Sequence, residues 1–275
     1  MVILIKSPDS IGLVSAISGV MARERANIIT MREYVDIEEQ LFFARLHIQT
    51  ESSIENLKQQ LEDVLPERAV ITVSNAPVKK VVLLVTKEHH CLSDLLIRHH
   101  FKSMKAEVQA VIGNHEVLRE VSEKFDVPFH YIATEGKTKA VFENELCRQI
   151  DAYRFDYIVL AKFMRILSAD FVEKYPLKII NIHHSFLPAF IGASPYKQAY
   201  ERGVKIIGAT AHYVTNDLDE GPIISQQITP VNHNFTVSDM IKAGREVEKS
   251  VLATALQLVF EDRVFVYNNK TVVFD

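Results

Sequence analysis

Asn181, His183 and Asp219 are the residues whose types and spacing carry chemistry. The first two stand in Asn181-Ile182-His183-His184-Ser185-Phe186-Leu187-Pro188, where an apolar, strand-like run ends. The third stands in Leu218-Asp219-Glu220-Gly221-Pro222, beyond a second such run. On a strand, residues two apart share a face, so Asn181 and His183 point together and His184 points away. An amide can donate to a developing oxyanion, an imidazole can shuttle a proton, and a carboxylate can orient the imidazole or a water. Together they suffice to hydrolyse or transfer an acyl group without a metal. An isolated Asn-His pair would as readily end a strand and cap a turn; the linked Phe-Leu-Pro turn and acidic loop favour chemistry. A zinc site assembled from His89-His90, His99-His100, His183-His184 and His212 is disfavoured, because adjacent histidines on a strand do not face one ligand and no His-Glu-x-x-His run or cysteine pair supports it. His212 is expected to pack near the site and orient the loop that carries Asp219.

Two patterns of elements position these residues. Residues 1–75 read as βαββαβ. Val2–Lys6 is a strand, and Leu13, Val14, Ile17, Val20 and Met21 recur at helical spacing. Ile28–Val35 and Leu41–Thr50 form a hairpin about a polar turn at 36–40. In the second of these strands Phe42, Ala44, Leu46 and Ile48 alternate with Arg45, His47 and Gln49, which predicts one wet face. Ile54, Leu57, Leu61 and Val64 mark another helix, and Val70–Val73 a last strand. Residues 76–80, with Pro77, read as a linker. From 81 to 275 the strands become near-continuous apolar runs separated by helices: Val81–Val85, Val108–Ile112, Phe129–Ile132, Tyr157–Leu160 and Ile179–His183. That pattern predicts a mostly parallel sheet covered on both faces. Ile206–Thr215 and Ile223–Val231 follow. A long helix then starts at Thr236 and carries Met240, Ala243, Val247, Val251, Ala255 and Val259 on one side. A terminal hairpin closes the chain. The charged run Arg245-Glu246-Val247-Glu248-Lys249 reads as a solvated helix face.

Of the 275 residues, 48% are hydrophobic and 24% charged, with a formal net charge of −4, which suits a globular α/β protein and argues against nucleic acid as a partner. No apolar run is long enough for a membrane span, and no signal segment precedes the first strand; both point to a cytoplasmic protein without a membrane partner. Cys91 and Cys147 form neither a disulfide framework nor a metal pair.

The first 75 residues resemble the ACT domain, a small-molecule-sensing module attached to metabolic enzymes. Pro8-Asp9, Gly12-Leu13-Val14 and Ala26-Asn27-Ile28 carry the likeness, although Arg25 stands where such domains often place a glycine. The resemblance implies a ferredoxin-like fold, a homo-oligomer and an amino-acid effector held near Asp9, Gly12, Asn27 and Ile28. Gly12 has a physical reading of its own, because it leaves a helix N-terminus open to a carboxylate.

From about Val81 onward the chain resembles the formyltransferase fold of folate enzymes, a Rossmann-like α/β domain. Its signature is Asn-Ile-His-x-Ser-Leu-Leu-Pro with a later Leu-Asp-x-Gly-Pro. The resemblance implies that Asn181, His183 and Asp219 are catalytic. It further implies that Phe163, Met164, Arg165, Ile166 and Leu167 hold the folate pterin, with Val214, Asn216 and Asp217 as the opposite wall. Members that formylate a phosphorylated amine cradle the phosphate in a glycine-rich turn after the first strand; here that turn is Thr86-Lys87-Glu88-His89-His90-Cys91. The ACT-like half, His183-His184 and Gly192-Ala193-Ser194-Pro195-Tyr196 resemble the formyltetrahydrofolate deformylase branch. That branch cleaves 10-formyltetrahydrofolate to tetrahydrofolate and formate, supplying formate for purine synthesis and balancing one-carbon folate pools. It implies water as acceptor and no metal or cofactor. Transfer of the formyl group to an amine is the alternative activity, and a folate- or amino-acid-sensing binder a third.

Overall fold

The computed structural model describes residues 1–75, 78–188 and 195–274. Its contacts divide the chain into two units, Met1–Pro77 with Glu261–Phe265 and Val272–Asp275, and Val78–Phe260 with Val266–Thr271.

The first unit contains β1 (Val2–Pro8), α1 (Leu13–Arg23), β2 (Asn27–Asp36), β3 (Leu41–Gln49), α2 (Ile54–Glu62) and β4 (Val70–Ser74). Its sheet runs β2-β3-β1-β4, antiparallel throughout, which is the ferredoxin-like order. Leu13, Ile17, Val20 and Met21 of α1 and Leu57 and Leu61 of α2 pack on the face made by Ile3, Ile5, Phe42, Ala44, Leu46 and Ile48. Asp36 Oδ1 accepts the Glu38 and Glu39 N–H groups and closes the hairpin turn. Ser53 caps α2 by accepting from the Asn56 N–H.

Three expectations are corrected here. The other face of β3 is covered at one end, although Gln49 at the other end is exposed: Phe43 is fully buried between Tyr34 and Phe265, with ring centroids 6.2 and 5.5 Å away. Arg45 donates to the Asp262 and Glu261 carbonyls, each at 2.9 Å. Residues 261–265 therefore belong with the first unit, although the sequence pattern predicts that all of 81–275 belongs to the second. Alternation within one strand carries no information about a segment more than 200 positions later that covers its polar side. The linker is also shorter than 76–80, because Lys79 and Lys80 already lie in β5 (Lys79–Val85); residues 76 and 77 lie outside the described residues.

After β5 the second unit contains α3 (His90–His100), β6 (Ala106–Gly113), a 3-10 turn at Glu116–Leu118 and α4 (Arg119–Glu123). Then come β7 (Phe129–Tyr131), α5 (Lys139–Asp151), β8 (Tyr157–Leu160), α6 (Ala169–Lys174) and β9 (Ile179–His183). Last are α7 (Pro195–Arg202), β10 (Ile206–Tyr213), β11 (Ile223–Pro230) and α8 (Val237–Phe260); the hairpin β12 (Val264–Tyr267) and β13 (Lys270–Val273) that follows is divided between the two units. The seven-stranded sheet runs β11-β10-β9-β8-β5-β6-β7. The strands from β7 to β9 are parallel, and β10 and β11 are antiparallel additions. Val81 to Val85 are all buried, as a strand covered on both faces requires. Thr236 and Asp239 form the capping box that starts α8. The chain leaves β5 toward β6 and β7, then returns to β8 on the other side of β5. That reversal opens a crevice at the carboxyl ends of β5, β8 and β9, the place where open α/β sheets bind ligands.

Candidate active site

A cavity of about 400 Å³ occupies that crevice, and Asn181, His183 and Asp219 all line it. Strand alternation puts Asn181 and His183 on the cavity side of β9. β10 runs antiparallel to β9 and sets His212 directly opposite Asn181. Beyond β10 the chain turns back at Asp219, whose φ of +59° lies in the left-handed region. Gly221 abuts β10 so closely that a Cβ there would sit 1.8 Å from the Tyr213 carbonyl oxygen, so only glycine lets the loop fold back. The return brings Asp219 Oδ1 to 3.2 Å from His183 Nδ1.

The hydrogen-bond chain assigns roles to the ring atoms. His212 Nδ1 lies 2.9 Å from the Tyr213 carbonyl oxygen, which can only accept, so Nδ1 carries the proton. Burial lowers the His212 pKa and keeps the ring neutral, which leaves Nε2 to accept from the Asn181 amide N–H at 3.2 Å. Asn181 is thereby oriented with its second N–H free for the cavity. With its Nδ1 engaged by Asp219, His183 keeps Nε2, which is buried without a partner among the described residues. A buried imidazole nitrogen of that kind calls for a ligand or water. Burial disfavours ionisation of Asp219, but the hydrogen bond and charge of His183 and the nearby His212 and His184 outweigh it, so its pKa falls below the ordinary carboxylate value. Asp219 is therefore ionised at neutral pH.

Most of the residues expected to hold a pterin line the same cavity. Phe163, Met164, Arg165, Ile166 and Leu167 follow β8 into the cavity lining, and Thr86 Oγ1 accepts from the Met164 N–H at 2.9 Å. Val214 and Asn216 line the other side, with the Asn216 amide donating to Glu173. Asp217 differs: it is exposed and outside the lining, and its carbonyl accepts from Thr215 Oγ1 while Leu218 takes the place at the wall. In a turn the period-2 rule no longer says which neighbour faces inward.

The same reason overturns the expected direction of His184. β9 ends at His183, and the His184 ring lines the cavity 5.2 Å from the His183 ring. The reading of 245–249 as a solvated face is also corrected. Glu248 is 1% exposed. Its carboxylate takes hydrogen bonds from Tyr196 at 2.6 Å and His90 at 2.8 Å and lies 3.1 Å from the Lys162 ammonium. Gly244, one turn earlier on α8, could have signalled this buried face: a Cβ there would fall 2.1 Å from the Tyr196 hydroxyl. Among the described residues, His90, Cys91 and Glu248 could bring donors within 4.8 Å of one another as for a metal. They are a poor donor set, because burial and the Glu248 charge raise the Cys91 thiol pKa and keep it protonated, while Lys162 already neutralises Glu248.

In the first unit, Asp9, Gly12 and Asn27 are exposed and Ile28 half-buried, with Gly12 as the N-cap of α1 at φ +93°. Within the run 192–196, residues 192–194 lie outside the described residues, and Pro195 and Tyr196 open α7.

Comparison with known proteins finds relatives over nearly the whole chain. A family model described as "Formyl transferase" matches residues 79–256. The formyltetrahydrofolate deformylase of Haemophilus influenzae is 47% identical over 272 residues, covering 99% of this chain and 98% of the relative. That of Escherichia coli (strain K12) is 49% identical over 266 residues, covering 97% and 95%. The crystal structure of a formyltetrahydrofolate deformylase from Pseudomonas syringae pv. tomato superposes with a TM-score of 0.94 at 39% identity, covering 100% of this chain and 94% of that one.

Proposed function

The chain belongs to the formyltetrahydrofolate deformylase family, and we infer from that premise that it hydrolyses 10-formyltetrahydrofolate to tetrahydrofolate and formate. It is a hydrolase acting on a formyl C–N bond. The observation that carries the reading to particular residues is the unpartnered, buried Nε2 of His183, facing a cavity also lined by Asn181 and Asp219.

In the mechanism we propose, the formyl carbonyl lies against Asn181 and His183 while the pterin sits between Met164–Leu167 and Val214–Asn216. Water attacks the formyl carbon. Asn181 donates its free N–H to the oxyanion, His183 supplies the proton that the departing folate nitrogen needs, and Asp219 holds the imidazole in place. The residues need no metal or cofactor for these steps, so formate release is expected to continue in chelator. Asn181→Ala should lower kcat by about 10²–10³, about 3 kcal/mol of transition-state stabilisation, with little change in KM. The measurement is formate release from 10-formyltetrahydrofolate with chelator and without an amine acceptor; near-normal turnover would remove Asn181 from the oxyanion role. Formyl transfer to an amine is disfavoured by the segment Thr86–Cys91, which contains no glycine to cradle a substrate phosphate.

We further propose that the first unit is an ACT-type regulatory domain that binds a free amino acid at the α1 N-terminus, near Asp9, Gly12, Asn27 and Ile28. Its exposed Gly12 cap and its strand order support the reading. Because 261–265 pack on β3, a point substitution tests this better than a truncation: a free amino acid that alters wild-type hydrolysis should lose its effect in Asn27→Ala, and an undiminished response would refute the site. Pairing of the edge strand β2 with a second copy would make a homo-oligomer. A cytoplasmic location suits a folate substrate, and no helix among the described residues is long and apolar enough to cross a membrane.

A further inference from the structure

A second cavity, of about 390 Å³, meets the first at His184. The two share Lys162, Met164 and His184 as lining, and beyond that junction the second is walled by Glu88, Tyr196, Arg245 and Glu248. The charged and hydroxyl groups at this junction are tied to one another. Lys162 and Tyr196 engage Glu248, and Arg245 Nε donates to Glu88 at 3.2 Å. His184 differs: its ring has no hydrogen-bond partner among the described residues, and it stands 5.2 Å from the His183 ring and 6.3 Å from the Tyr196 ring. Burial, reinforced by the Lys162 ammonium, holds its pKa down at about 4. At neutral pH the ring is therefore uncharged, with one nitrogen able to accept and the other to donate.

We propose that His184 is a catalytic residue that holds the attacking water, admitted through the second cavity, against the formyl group bound in the first. This rests on the hydrolytic reading of the Asn181–His183–Asp219 site. The acceptor nitrogen of His184 takes a hydrogen bond from the water and turns an oxygen lone pair toward the formyl carbon. As the O–C bond forms, the carbonyl π pair moves onto its oxygen, and one water proton passes to His184. A ring of such low basicity accepts this proton only once the attacking water has become acidic. Collapse of the tetrahedral intermediate restores the carbonyl and breaks the C–N bond, with His183 protonating the folate nitrogen. The formic acid product and His184 then each give up a proton; one returns to His183, and the other enters solvent alongside formate. An amine acceptor bearing an anionic group would find Lys162 and Arg245 already paired with carboxylates. Water needs none.

The test measures formate release and formyl transfer to added hydroxylamine, a nucleophile small enough to need no acceptor site, in wild type, His184→Ala and His184→Gln. Tetrahydrofolate affinity serves as the check of integrity. His184→Ala should lower kcat for formate about 100-fold with KM and tetrahydrofolate affinity within about threefold. His184→Gln, whose amide oxygen can accept the same hydrogen bond, should recover about tenfold of that loss. Transfer to hydroxylamine should fall less, so the hydroxamate-to-formate ratio should rise about tenfold in His184→Ala. Wild-type rates of formate release in both variants would overturn the proposal, as would parallel losses that leave the ratio unchanged. If His184→Ala fails to bind tetrahydrofolate, His184→Gln decides on the same ratio. Formate release by wild type that requires an amine would instead overturn the hydrolytic reading itself.

Discussion

Asp219→Asn is expected to lower kcat for formate release by about 10³–10⁴ while leaving KM within a few-fold, the magnitude seen when the carboxylate that orients a catalytic imidazole becomes an amide. The carboxylate accepts from His183 Nδ1 at 3.2 Å and so keeps Nε2 directed at the cavity. An asparagine offers an N–H as readily as an oxygen. It can therefore stabilise the other tautomer. The substitution is clean structurally, because Asp219 has φ +59° and asparagine tolerates the left-handed region well. Steady-state kinetics in chelator, with the unfolding midpoint as a check of integrity, decide the matter. Turnover within tenfold of wild type would show that the proton passes without the carboxylate.

Glu248→Ala is expected to cost 3–5 kcal/mol of unfolding free energy, on the order seen when one partner of a buried ion pair is deleted. Three groups converge on this carboxylate, from α3, the turn after β8, and α7. Removing it leaves the Lys162 ammonium, 3% exposed, in the interior without its counter-charge. Burial alone would raise the Glu248 pKa. The hydrogen bonds from His90 and Tyr196 and the Lys162 charge more than reverse this, to about 2 against an ordinary 4.5. A carboxyl with a depressed folded-state pKa stabilises the fold fully above its unfolded pKa, and the stabilisation is lost as pH falls through the folded value. The gap between wild type and variant should therefore be complete at pH 7 and shrink as pH falls from about 4.5 toward 2. Urea unfolding across that range measures it. A deficit below about 1 kcal/mol at pH 7 would mean that the neighbours find other partners or water.

Much of the architecture was legible because its signals are local. Apolar runs of strand length separated by helices specify a parallel sheet, and the Thr236–Asp239 pair marks the start of α8 within four residues. The Asn181–His183 spacing puts both side chains on one face by strand geometry alone. The glycine of Leu-Asp-Glu-Gly-Pro is needed where the loop meets β10. The misreadings share a cause. Glu248 lies in a run that is charged by composition, and its burial depends on His90, 158 positions earlier, and Tyr196, 52 positions earlier. The alternation of β3 turns Arg45 to a wet face, yet its cover, and that of Phe43 beside it, comes from residues 261–265. Strand alternation would turn His184 outward, but β9 ends one residue before it.

The two kinds of sheet, the helices between their strands, and the shared facing of Asn181 and His183 are thus written locally in the chain. Each of these follows from periodicity and backbone preference over a few residues. Assembly of the chain, by contrast, is what brings Asp219 to His183, sets His212 against Asn181, buries Glu248 among Lys162, His90 and Tyr196, and stands His184 between two cavities. Those outcomes depend on which distant segments share a solvent-excluded volume. In such a volume an unpaired polar group is costly, so the partners are set by the assembled chain and not by neighbours in sequence.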